Sequence, residues 1–292
     1  MNFVSWSQFH ADIAAWERLL PEFDAVCGVP RSGLVPAAYI ALRRNIRLVD
    51  LSDLMRRPEG VIRRATLRDS NPIVKNRKPY GNKLLIVDDS SSPRSFTFND
   101  LREKLKDQTS LSISYGAVYR ASETSQLDFY FKEIPLPRIF GWNWCRHFHM
   151  KTALVDMDGV LCEDWKHRPE MNDDPEFVQH IDTVNPLYLP DWPIMGIVTS
   201  RIERYRPQTE AWLRKHGVHY NRLIMHPAPT PELRRQANDH AERKALVYRK
   251  AKDASLFVES DVRQAKEIFR LTQRPVLCTD TMTMFSKKTN DN

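Results

Sequence analysis

A chain of 292 residues is long enough for two ordinary domains. With 41% hydrophobic and 28% charged residues it has a soluble globular balance, and no apolar run approaches the roughly 20 residues of a membrane span, which argues against a membrane-embedded chain. The net charge of +7 leaves two kinds of acidic partner open, a nucleic acid or a polyphosphate ligand.

The N-terminus, Met1-Asn2-Phe3-Val4-Ser5-Trp6, lacks a basic region followed by an apolar core, so no signal-peptide pattern is visible. Residues 6–20 have helical spacing, with Trp6, Phe9, Ile13, Trp16, Leu19 and Leu20 able to share a face. A short strand over 23–26 leads into the loop Gly28-Val29-Pro30-Arg31-Ser32-Gly33, and 34–43 reads as the next helix. Residues 51–82 are polar, basic and punctuated by proline, the composition of a loop or flap with little core. Cations concentrate here and just beyond, at Arg56, Arg57, Arg63, Arg64, Arg68, Lys75, Arg77, Lys78 and Lys83. A buried strand over 84–87, a helix over 96–105 and strands over 111–119 and 127–134 complete the first half.

Pro135 and Pro137 then break the strand, and Phe140, Trp142, Trp144 and Phe148 follow closely. So aromatic a connector is expected to pack between two domains rather than to swing as a free linker. The second half reads as strand 152–155, helix 175–180, strand 194–198, helix 205–216, a long charged helix over 231–251, strand 255–258, helix 262–271 and strand 275–277. This alternation implies an α/β protein of two domains, each a mainly parallel sheet with flanking helices and a site at the carboxyl ends of its strands. The expected boundaries are 1–140 and 151–292, with 141–150 as the joint. Cys27, Cys145, Cys162 and Cys278 fit neither a zinc spacing nor a disulfide framework, and a reduced cytoplasm is the expected setting.

Each half carries one phosphate-chemistry signature. In the first, Leu84-Leu85-Ile86-Val87 runs into Asp88-Asp89-Ser90-Ser91-Ser92-Pro93-Arg94-Ser95. Backbone amides of such a turn, with a following helix N-terminus, hold a phosphate monoester, and Ser90, Ser91, Ser92 and Ser95 add hydroxyl donors. Asp88 and Asp89 would face ribose hydroxyls, or magnesium through water. This arrangement resembles the type I-like phosphoribosyltransferases over roughly residues 1–140. The resemblance implies binding of phosphoribosyl pyrophosphate (PRPP), with Arg31, Ser32 and Gly33 in the pyrophosphate loop and the basic stretch 51–83 as a mobile hood. Where the family usually has a glycine in its phosphate loop, this chain has Pro93-Arg94; proline removes one amide donor, and Arg94 would replace it with a charged fork.

In the second half, an apolar strand ends in Asp156-Met157-Asp158-Gly159-Val160-Leu161. Two carboxylates one residue apart can divide labour, one attacking phosphorus and the other moving protons. This resembles the haloacid dehalogenase-like (HAD-like) phosphatases over roughly residues 150–285, with a small cap. The resemblance implies Asp156 as nucleophile, Asp158 as acid/base, Thr199 as the hydroxyl gripping the phosphoryl group, and Lys244 as the charge-neutralising lysine, with Lys250 and Lys252 as competitors. It implies magnesium (Mg2+) held by Asp156, Asp158, Glu259 and Asp261. His147 and His149 beside Cys145 are expected to pack at the boundary rather than bind metal, and Trp212 is expected in the core.

The expected function is therefore bifunctional: phosphoribosyl transfer from PRPP to an acceptor, then magnesium-dependent hydrolysis of a phosphate monoester, plausibly on the ribosylated, nucleoside-like product. Together with the aromatic joint, the layout resembles phosphoribosyltransferase–phosphatase fusions of phage and bacteria. Two alternatives stand beside it: a PRPP- or nucleotide-sensing domain regulating a phosphatase, and a nucleic-acid end phosphatase with the basic flap gripping the polymer. A homo-oligomer is left open, and no membrane partner is expected.

Overall fold

The computed structural model describes residues 1–58, 62, 81–92, 98–107, 109–121, 127–165 and 174–287. Internal contacts divide the chain into two units: residues 4–138 with Asn2, and residues 139–292 with Met1 and Phe3.

The first unit runs β1 (Asn2–Val4), α1 (Trp6–Glu17), β2 (Ala25–Gly28), α2 (Leu34–Arg44), β3 (Arg47–Val49), α3 (Leu51–Arg56), β4 (Lys83–Ser91), α4 (Phe98–Leu105), β5 (Ser112–Arg120) and β6 (Phe129–Glu133). Its sheet has the order β3-β2-β4-β5-β6, every pair parallel. Strands covered on both faces read as continuous apolar runs. Accordingly Leu84, Leu85, Ile86 and Val87 are all fully buried, and Leu84 and Ile86 pack with Phe98, Leu101 and Leu105 of α4. The Ser5 hydroxyl caps α1 by accepting from the Gln8 amide at 3.2 Å, and Phe9, Ile13 and Trp16 form its buried stripe.

Two sequence expectations change here. The polar stretch from residue 51 begins with a helix, α3, capped by Asp50, whose Leu54 is fully buried in the same core as Ile62. The strand expected over 84–87 continues through Asp88, Asp89, Ser90 and Ser91, because Asp88, Ser90 and Ser91 still pair with Ala117, Tyr119 and Arg120 of β5.

β7 (Arg138–Phe140) begins on the last residue of the first unit and enters the second, where two 3-10 turns follow, Trp144–Arg146 and Phe148–Thr152. The second unit continues with β8 (Ala153–Val155), α5 (Asp174–Thr183), β9 (Gly196–Ile202), α6 (Arg206–Lys215), β10 (Leu223–His226), α7 (Pro231–Ala237), α8 (His240–Lys250), β11 (Leu256–Glu259), α9 (Val262–Thr272), β12 (Val276–Cys278) and β13 (Thr283–Phe285). The sheet order is β10-β9-β8-β11-β12-β13, parallel except for the last pair. Alternation along the strands sends Val155 and Val258 to a core with Trp144, Trp212 and Leu213, and Leu154 and Phe257 to a second core with Ala245, Tyr248 and Ile268. Ile139, Trp144 and Met150 of the aromatic connector thus belong to the second unit's own core. The helix expected over 231–251 is two helices, because Asn238 adopts the left-handed conformation (φ 44°) and ends α7.

Among the described residues no helix is long and apolar enough to cross a membrane.

Candidate functional site

In open parallel sheets, ligands bind beyond the carboxyl ends of the strands, where the strand order reverses. In the first unit that point lies between β2 and β4, and the chain puts both of its expected motifs there. The loop after β2 is laid on the end of β4: the Val29 amide donates to the Val87 carbonyl at 2.8 Å. Gly33 is required by closeness, since a Cβ there would stand 2.6 Å from the carbonyl oxygens of Val29 and Val87 and 2.9 Å from Asp88 Cα. Gly33 also opens α2, whose N-terminal amides and dipole favour an anion. Arg31 is exposed and Ser32 half-buried on the same loop.

Asp88 and Asp89 lie in the last part of β4, ahead of Ser90 and Ser91. Burial, the charge of Asp89 and a hydrogen bond with the Asp89 side chain push the Asp88 carboxyl up to about 9. The Asp88 carboxyl therefore resists ionisation beside its neighbour, and a cation or ribose hydroxyls placed there would relieve that. Ser91 is buried, and its carbonyl accepts from Arg138 Nη2 at 2.8 Å. Ser90 and Ser92 are half-buried. Pro93, Arg94 and Ser95 lie outside the described residues, as do Arg63, Arg64, Arg68, Lys75, Arg77 and Lys78. Lys83 sits at the amino end of β4, the wrong end for this site.

In the second unit the order reverses between β8 and β11. Asp156 follows β8, its amide donating to the Val258 carbonyl of β11 at 2.9 Å. Lys244 Nζ donates to Asp156 Oδ2 at 2.6 Å, Glu259 Oε2 at 2.7 Å and Gln264 Oε1 at 3.0 Å. All three charged partners are buried, Lys244 being 3% exposed. Lys250 and Lys252 are exposed, whereas Lys244 is buried against Asp156 and Glu259. Two carboxylates and one ammonium leave an excess negative charge in a dry place. Burial, opposed by Lys244 and aided by Glu259, pushes Asp156 well above the usual carboxylate range. Burial works against the charge of Lys244, but Asp156 and Glu259 outweigh it and hold the ammonium protonated.

Asp158 is clamped by Arg201, a residue to which the sequence motifs assign no role. Arg201 Nε lies 3.1 and 3.0 Å from the two Asp158 oxygens, and Nη2 lies 2.6 Å from Oδ1. Burial opposes the Asp158 charge, yet the Arg201 guanidinium overcomes it and lowers this carboxyl below its ordinary value. Gly159 turns away at φ 77°, and a side chain there would meet Ser260.

Two expected site residues make local hydrogen bonds, Asp261 while it also lines the cavity. Thr199 is 5% exposed, and its hydroxyl accepts from the Arg201 amide at 3.1 Å; its neighbours Ser200 and Arg201 reach the cavity instead. Asp261 caps α9, accepting from the amides of Arg263 at 2.8 Å and Gln264 at 2.9 Å. No group of three or more metal-ligating side chains comes together among the described residues. Of the expected magnesium set, Asp156 and Glu259 converge on one cation, the Lys244 ammonium, while Asp158 meets Arg201 and Asp261 caps α9. Magnesium is commonly held by one or two carboxylates with waters, so the Asp156 and Glu259 pair fits it. A cavity of about 780 Å3 opens here, lined by Asp156, Asp158, Ser200, Arg201, Lys244 and Glu259 among others. Trp212 is in the core as expected, 2% exposed, and its indole donates to the Val184 carbonyl at 2.9 Å.

No family model matches the chain. The xanthine-guanine phosphoribosyltransferase of Chromohalobacter salexigens is 47% identical over 49 residues, which are 16% of this chain and 30% of that protein. The chain therefore spans less than a third of the length of that relative. Among solved structures, the purine phosphoribosyltransferase from Pyrococcus horikoshii is 20% identical, covering 48% of this chain and 92% of that one, with a TM-score of 0.34. The xanthine-guanine-hypoxanthine phosphoribosyltransferase of Helicobacter pylori is 16% identical, covering 49% and 91%, with a TM-score of 0.33. Neither structural match is close enough to transfer a function. A phosphoribosyltransferase-like segment is nonetheless part of this chain.

Proposed function

We propose that the chain is a bifunctional enzyme. Its first unit transfers a phosphoribosyl group from PRPP to an acceptor, and its second hydrolyses a phosphate monoester through an aspartyl-phosphate on Asp156. The first half is carried by the seating of the Gly33 loop on the acidic end of β4, in a chain with a phosphoribosyltransferase-like segment. There the α2 N-terminus and Arg31 receive the anionic leaving group, while the Asp88–Asp89 pair orients the ribose. Departure of pyrophosphate from the anomeric carbon needs positioning and electrostatics more than a strong nucleophile.

The second half is carried by Lys244 bridging Asp156 and Glu259 beside the cavity. Asp156 attacks phosphorus, the bond to the leaving oxygen breaks, and an acyl-phosphate forms. Water then cleaves that acyl-phosphate, giving its proton to Asp158. Arg201 favours the ionised Asp158 that this second step needs. A phosphoryl group bound in the cavity competes for Arg201 and so lets Asp158 take the protonated form that serves the leaving oxygen. Magnesium, when bound, adds positive charge beside the transferring group.

The test is incubation with PRPP, magnesium and a panel of candidate acceptors. Pyrophosphate release that depends on acceptor supports the transferase half. Inorganic phosphate release from the isolated product supports the phosphatase half. Absence of acceptor-dependent pyrophosphate release across the panel sinks the first, and a phosphate-stable product sinks the second.

A further inference from the structure

The hydrolysis proposed above uses only the part of the second unit's cavity next to Asp156 and Lys244. At about 780 Å3 the cavity has the size of a whole small-molecule site. Trp165, Phe177 and Tyr205 also line it and form one aromatic cluster. Trp165 and Phe177 meet edge to face at 5.9 Å and 89°, and Phe177 and Tyr205 at 4.9 Å and 66°. His180 extends the cluster, 4.5 Å from Trp165. Trp165 and Phe177 are only half-buried, unlike the core Trp212, so ring surface remains for a ligand. Aromatic surface of this kind stacks on nucleic-acid bases whatever their identity.

Polar groups share the same cavity. Arg234 lines it and donates from Nη1 to the Ser200 carbonyl at the end of β9, 3.4 Å away. Asn238 and His240 line it as well, and His240 Nδ1 lies 2.9 Å from the Ser200 hydroxyl. A ligand with a phosphate at one end, hydroxyls in the middle and a flat ring at the other would use all three kinds of surface.

We infer that this cavity takes a nucleoside 5'-monophosphate, with its base on the Trp165–Phe177 cluster and its phosphate at Asp156 and Lys244. The inference rests on the reading of Asp156 as the phosphoryl acceptor. In the reaction the P–O5' bond breaks, the phosphoryl group passes to Asp156, and O5' takes a proton. Water then releases inorganic phosphate, leaving a nucleoside. Phosphoribosyl transfer to a nitrogenous base would supply this class of substrate.

The test is equilibrium binding to the full chain, by calorimetry, of adenosine monophosphate, ribose 5-phosphate and phenyl phosphate, with phosphate release measured in parallel. Adenosine monophosphate is expected to bind at least about tenfold more tightly than either comparator, the size of one base stack. Trp165→Leu and the milder Phe177→Leu, each checked for an unchanged melting transition, are each expected to remove most of that advantage while leaving ribose 5-phosphate binding as it was. Equal affinity for the three probes, or an advantage that survives both substitutions, overturns the inference. A nucleotide preference that depends on Trp165 without phosphate release from any probe upholds the binding site and overturns the phosphatase reading instead.

Discussion

The two sites sit at equivalent places in two parallel sheets but are built from different materials. The first is mostly backbone: a glycine pressed against two carbonyl oxygens, a helix N-terminus, and two adjacent acids of which Asp88 is held against ionisation. The second is mostly buried side-chain charge, with Lys244 between Asp156 and Glu259 and Arg201 closed on Asp158. A backbone site is broken by adding volume. A charge site is broken by removing one partner, since the remaining ions lose compensation in a dry place. Substitutions chosen on this difference separate the two units.

The largest effect is expected from Asp156→Asn. The neutral amide cannot form an acyl-phosphate, so phosphate release should fall on the order of a thousandfold or more, while calorimetric PRPP binding stays unchanged. Residual hydrolysis within tenfold of the parent would remove Asp156 from the nucleophile's role.

Lys244→Met should be next, acting on stability as well as activity. It leaves Asp156 and Glu259 facing each other without a cation, a loss of about 3–5 kcal/mol for a broken buried pair. Chemical denaturation at pH 7 measures it. A variant as stable as the parent would show that the ammonium does not compensate the two carboxyls.

Gly33→Ala addresses the first unit. Its Cβ would stand 2.6 Å from two carbonyl oxygens, so the loop must lift from β4. We expect a cost of about 1–3 kcal/mol, as for other overpacked positions, and loss of PRPP binding with phosphate release from a monoester unaltered. Wild-type binding would show that the loop seat is not part of the site.

Asp88→Asn has a smaller, signed effect. The folded-state pKa of Asp88 is raised to about 9, so the unfolded chain holds fewer protons there between about pH 4 and pH 9. That group therefore costs stability progressively as pH rises through this window. Removing the charge should raise the melting temperature at pH 8 by a few degrees and leave it unchanged at pH 3. A lower melting temperature at pH 8 would contradict a raised Asp88 carboxyl. At the bottom of the scale, Lys250→Ala and Lys252→Ala should stay within about 0.5 kcal/mol of the parent, as exposed positions do, with phosphate release intact.

What could be read from residues alone follows the same division. The apolar strands were legible because parallel strands covered on both faces must be apolar throughout, as in Leu84 to Val87 and Leu256 to Val258. Glycine loops and acid pairs at their ends were legible as motifs. Less visible were elements whose burial rests on one residue. Leu54 anchors α3 inside a polar stretch, and Asp88 to Ser91 extend β4 although none of these residues is apolar. The choice of Lys244 over its neighbours had a signal: Ala241, Lys244, Ala245 and Tyr248 follow the spacing of a buried helical stripe, which Lys250 falls off, while Lys252 lies past the end of α8. The Arg201 clamp had none, since its partner Asp158 lies 43 residues away in sequence. Asp261 at the start of α9 also acts as a helix cap, since an acid there accepts from the first amides of the helix.

The central claim is that one chain holds two separable phosphate sites. It is tested most directly by measuring pyrophosphate release and phosphate release side by side on the Asp88→Asn/Asp89→Asn double variant. We expect acceptor-dependent pyrophosphate release to vanish while hydrolysis of a supplied phosphate monoester continues at the parent rate. Loss of both activities together, with the chain still folded, would mean that the two halves form a single site.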